Sequence, residues 1–106
     1  MLQISQQIAI QRWDTLPDIL REALFDDRNT EIVQQIATAE HLSDDKRKAV
    51  SRIAGYVMMG FLHPEDAAQE IKDAAGIDSR IADAIAGSLN AKIFSPLRND
   101  IAKMYA

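Results

Sequence analysis

The stretch Ala49–Leu62 reads AVSRIAGYVMMGFL and places apolar residues at 49, 50, 53, 54, 57, 58, 61 and 62. Spacings of three and four put them on one broad helical face. That face is too wide for a single partner, so the stretch is expected to be the central helix of a bundle, running on to Leu62. Gly55 and Gly60 fall inside it, each at a cost of about 1 kcal/mol relative to alanine. The cost points to close approach of a neighbouring helix, or to a loosened last turn at Gly60.

Upstream, Leu42-Ser43-Asp44-Asp45 is a strong helix start. Ser43 is placed to cap, two acids complement the dipole, and Leu42 can staple onto the next turn. Asn29 or Thr30 is expected to cap a preceding helix to about His41, buried through Ile32, Val33, Ile36 and Ala37. Before it, Asp14 or Thr15 and Pro17 open a helix whose buried face is Leu16, Ile19, Leu20, Ala23 and Leu24. Asp26 to Asn29 should end it. Leu2 to about Arg12 reads as a short, weak helix on Ile4, Ile8 and Ala9, with Ile10 off the stripe.

Downstream, His63-Pro64-Glu65-Asp66 restarts the chain, since proline with two acids suits a first turn. Ala67, Ala68, Ile71, Ala74 and Ala75 then face inward up to Gly76, a candidate left-handed C-cap with Ile77 beside it. Asp78 opens the next helix on Ile81, Ala82, Ile85, Ala86, Leu89 and Ile93. Ser95-Pro96 opens a last one on Leu97, Ile101, Met104 and Tyr105. The alanines between 67 and 91 let helix axes come close. No segment alternates with a period of two. The expected fold is all-α, a compact bundle of six to seven short helices in a single domain, residues 1–106.

Composition agrees. With 106 residues, 47% hydrophobic, four glycines and three prolines, the chain can bury one core. It has no cysteine, which excludes disulfides and cysteine-based zinc or redox chemistry. The N-terminal MLQISQQIAIQRWD has no basic leader followed by an apolar run, and the most apolar window is about half the roughly 20 residues a membrane span needs. A soluble, cytoplasmic protein is expected. A net charge of −4 and a pI near 5.0 set a repelling field against nucleic acid.

Chemistry is hard to place in this sequence. His41 and His63, the only histidines, lie a full helix apart with no HxxxH or HxxE spacing, so no metal and no cofactor are expected. The pairs Asp26–Asp27, Asp44–Asp45 and Glu65–Asp66 sit at helix boundaries, where dipoles and solvent account for them. No phosphate loop or nucleophile motif is present. The chain reads as non-catalytic. Ile71 to Ala82 has helix–Gly turn–helix form and looks like a DNA-binding helix-turn-helix. Lys72, however, stands where a small residue normally packs under the turn. Its second helix offers only Arg80 and Lys92 as cations, so nucleic acid is disfavoured as a partner.

Two features suit a protein contact. Met58, Met59 and Phe61, followed by His63, end the central helix; a frayed Gly60 would bring some of this adaptable cluster to the surface. Met59-Gly60-Phe61 also looks, over three residues, like the loop of ubiquitin-associated domains. Lys46, Arg47, Lys48 and Arg52 are the one basic cluster, with Arg47, Lys48 and Arg52 facing solvent. They could meet an acidic patch such as Asp26–Asp27 on another copy. The expected function is therefore an interaction module, an adaptor or a self-associating chain, with a DNA-binding regulator as the alternative. The expected partner is a protein or a second copy, with no membrane.

The segments GYVMMGFLHPEDAAQEIKDAAGID and IADAIAGSLNAKIFSPLRNDIAKMY, with IAIQRWDTLPDIL before them, resemble an all-helical domain of predicted proteins from small-genome, candidate-phylum bacteria. Gly55 to Phe61 and Asn90 to Arg98 carry the likeness, which covers most of the chain. It implies a helical fold and brings no activity, substrate or cofactor. The helix number and length are also similar to death-fold adaptor modules, by analogy of size alone.

Overall fold

A computed structural model of the chain describes residues 2–105. Its centre is α4, Asp44–Met58, which buries Ala49, Val50, Ile53, Ala54, Val57 and Met58. The helix stops short of the expected Leu62. Met59 is the C-cap, Gly60 turns left-handed at φ 78°, and Phe61 N–H donates back to the Tyr56 carbonyl at 3.0 Å. Gly60 N–H donates to Val57 at 3.1 Å, completing a Schellman cap. The apolar run therefore continues past the helix, with Leu62 still buried.

Residues 2–5 form a non-helical strap whose Leu2 N–H donates to Glu70 Oε2 at 2.8 Å. Helix α1, Gln6–Thr15, begins at the Ser5 cap, four residues later than the expected Leu2, and runs on past Arg12. Thr15 consequently does not cap the next helix; its hydroxyl donates to Arg12 O within α1. Helix α2, Asp18–Phe25, follows Pro17. Helix α3, Asp27–Ala39, starts earlier than Asn29 because the Asp26 carboxylate already accepts from Arg28 N–H at 2.8 Å. The Asn29 amide is left to reach back to Ala23 O at 3.0 Å. At its far end His41 adopts φ 58°, and Leu42 N–H closes onto Ala37 O at 3.2 Å. This is the same cap as at Gly60, built without glycine.

After a 3₁₀ turn, Pro64–Asp66, comes α5, Ala67–Ala75. Gly76 ends it at φ 65°, as the sequence implies. Asp78 caps α6, Ser79–Leu89, by accepting from Ile81 N–H at 2.9 Å. The chain does not break there. A π turn, Asn90–Phe94, and a 3₁₀ turn, Ser95–Leu97, carry it into α7, Arg98–Lys103. The wide turn directs both Ile93 and Phe94 into the core.

Helix α4 packs between α3 and α5, and α6 lies against α5, where Ala67, Ala75 and Ala82 are buried and let the axes approach. Ile53, Ile71, Ile85, Leu89 and Phe94 fill the centre, each worth roughly 1.5–3 kcal/mol of burial. Among the described residues no charged or polar residue is buried and no strand forms. The radius of gyration, 12.8 Å, is close to the ~13 Å of a single folded unit of about 100 residues. No described helix is long and apolar enough to cross a membrane. The fold is an all-α bundle of short helices.

Candidate interaction surface

The structure separates the residues expected to form one contact surface. Met58 is 5% exposed and belongs to the core, so it offers nothing to a partner. Met59 is half-buried, and its carbonyl accepts from Arg12 Nη1 at 2.8 Å. Phe61 lies beneath the same guanidinium, 4.7 Å from the ring centroid, and is nearly perpendicular to Tyr56 with the ring centroids 6.3 Å apart. The chain's own α1 therefore covers this end of α4. The burial follows from the tight left-handed turn at Gly60, which keeps the last apolar residues against the bundle.

His63 is exposed and faces a different neighbour. Its ring stacks on Tyr105 at 3.8 Å, 20° from parallel, and its Nδ1 lies 4.0 Å from Glu65. The pair forms one wall of a groove of about 610 Å³. Phe94 and Ile101 line its depth, Ala86 and Gly87 leave it room, and Glu65 and Arg98 give its rim both signs of charge. The Tyr105 hydroxyl is buried without a hydrogen bond of good geometry. Burial pushes its pKa above 10.0; Arg12 opposes that, Glu65 and Asp66 add to it, and the nearby Leu62 backbone opposes it slightly.

The basic cluster divides as well. Arg47 is half-buried, and its Nε donates to Leu42 O at 3.0 Å, bracing the turn before α4. Lys48 and Arg52 are exposed, one helical turn apart. Tyr56 follows one turn on, and a shallow groove of about 340 Å³ runs between Arg52, Tyr56 and the strap residues Leu2, Gln3 and Ile4. Between residues 46 and 56 the chain has four cations and no acid.

Sequence reasoning missed a further exposed group at the end of α2. Phe25, at the end of α2, is 76% exposed, the most of any large apolar residue described, and Ile19 is exposed rather than part of the buried face. The ring of Phe25 meets Trp13 edge-on at 5.1 Å. Arg21 holds Trp13 in place, with Nε donating to Trp13 O at 2.9 Å and its guanidinium 5.6 Å from the indole. Around this pair, residues 14–28 carry five acids and two arginines. The signal was available: Leu20, Ala23 and Leu24 define the inward stripe, and Phe25 falls outside it.

The helix-turn-helix form predicted at Ile71 to Ala82 is present as α5, Gly76 and α6. The exposed side of α6 carries Arg80, Asp83, Ala84 and Gly87, a single cation beside a single acid. No group of three or more His, Cys, Asp or Glu side chains suited to a metal gathers among the described residues. In comparisons with known proteins, no family model, no curated protein and no solved structure matches the chain.

Proposed function

We propose that this chain is a non-catalytic protein-interaction module whose contact surface centres on Phe25. The observation that carries the reading is an aromatic ring left 76% exposed yet held in place by Trp13 and, through it, by Arg21. Pre-ordered aromatic side chains are the residues that supply interface energy at low entropic cost. The surrounding acids add charge selectivity and a faster encounter with a basic partner.

The test is to replace Phe25 by the photoreactive benzoylphenylalanine and irradiate the full chain in the cells that make it. A discrete protein adduct, to this chain or another, supports the reading; no protein adduct overturns it. The rival, a DNA-binding regulator acting through Ser79–Asn90, has the Gly76 turn in its favour. A salt-sensitive shift of duplex DNA at low ionic strength would establish the rival, and an unmoved duplex would remove it.

A further inference from the structure

Two surfaces of this molecule are complementary to each other. One is a projecting aromatic ring, Phe25, followed directly by the exposed Asp26 and Asp27. The other is the shallow groove beside α4, with half-buried Leu2, Ile4 and Tyr56 in it and Arg52 at its rim. Lys48 stands one turn back along the same exposed stripe. Among the described residues none of Lys48, Arg52, Asp26 and Asp27 makes an ion pair, although the Asp26 carboxylate also caps α3. The groove has a fixed edge because Leu2 N–H is tied to Glu70 at 2.8 Å.

We infer that the chain binds a second copy of itself, with Phe25 of one molecule seated in the Leu2–Ile4–Tyr56 groove of the other and Asp26 and Asp27 alongside Arg52 and Lys48. This rests on the interaction-module reading and names its partner. The argument for a second copy is that one chain carries both halves, with opposite charge beside matching apolar surfaces. A foreign partner would have to duplicate one of them. The contact is weak by construction. One aromatic side chain buries about 150–250 Å², against about 800 Å² per partner in a stable complex. Association should therefore depend on concentration and fall with salt.

Light scattering on the full chain, up to ~1 mM and at low and moderate salt, is the test. The expected result is a molar mass rising above 11.8 kDa with concentration, and less so as salt is added. Phe25→Ser should remain monomeric and folded, its melting lowered only by the loss of the Trp13 edge contact. Two charge-altered chains, Lys48→Glu with Arg52→Glu and Asp26→Asn with Asp27→Arg, the asparagine keeping a cap on α3, should each be monomeric alone and associate when mixed, since each then presents a ring flank opposite in charge to the other's groove. A parent chain monomeric throughout overturns the inference. So does association that survives all of these changes, because a different surface is then responsible. In the first case a foreign adduct at residue 25 would still leave the interaction-module reading standing.

Discussion

Arg12 reaches from α1 to the end of α4, where Nη1 donates to the Met59 carbonyl at 2.8 Å while the guanidinium lies 4.7 Å over Phe61. One side chain thus satisfies a carbonyl at a helix C-terminus and covers an aromatic face. Replacing it, Arg12→Ala, removes a charge-assisted hydrogen bond and a cation–π contact and should cost about 1–3 kcal/mol. Urea unfolding reads the loss. Because Arg12 also opposes the rise in the Tyr105 pKa, the same variant should move that titration further upward.

Gly60 is required twice over. Its φ is 78°, and a Cβ built there would lie 2.5 Å from Cβ of Met104 and 2.9 Å from Arg12 Nη1. Gly60→Ala should destabilise the domain by more than about 2 kcal/mol, since left-handed strain and a backbone-proximal clash act together. A lowered urea midpoint with an unchanged slope is the expected result.

His41 occupies the equivalent position at the end of α3 with φ 58°, and its exposed side chain makes no hydrogen bond among those described. His41→Gly should stabilise the protein by about 0.5–1 kcal/mol, the relief of left-handed strain less the added freedom of the unfolded chain. Thermal unfolding should shift upward by a few degrees.

Tyr105 holds its proton to higher pH than a free tyrosine, through burial first. The unfolded chain, at the ordinary 10.0, releases its proton sooner. The associated stability is whole below about pH 10 and is lost as pH rises towards the folded value. In a Tyr56→Phe background, absorbance at the tyrosinate band should follow Tyr105 alone and titrate late. Tyr105→Phe keeps a ring against His63 and removes the unpartnered hydroxyl; it should be neutral or stabilising by up to about 1 kcal/mol.

The bundle was legible because its inward positions recur at helical spacing. Val50, Ile53, Val57, Ile71, Ile85 and Ile101 are all buried where periodicity puts them, and Gly76 and Asp78 cap as their chemistry implies. Boundaries were less legible where several residues could cap. Asp26 competes with Asn29 and wins, and Ser5 starts α1 although the apolar spacing begins at Ile4. A loosened turn at Gly60 was expected, but not that its left-handed form would fold Met59 and Phe61 back under Arg12 and leave Met58 in the core. The π turn after Leu89 has no local signature; it is set by the gain from burying Ile93 and Phe94 together. Of the proposed contact surface, Lys48 and Arg52 were visible as charge and the exposure of Phe25 as a position off the inward stripe, whereas its packing on Trp13 depends on where α1 ends.

Helix α1 contains no buried residue. Beyond its sequence neighbours, its hydrogen-bonded anchor is at Met59, 47 positions away, and the strap before it is tied at Glu70, 68 positions from Leu2. On the ribosome, at roughly 5–20 residues per second, this helix emerges several seconds before the surfaces that receive it exist. Trp13 can meet Arg21 and Phe25 early in that interval, whereas Arg12 and Leu2 wait for Met59 and Glu70. The first part of this sequence to be made thus depends for its long-range anchors on residues made much later.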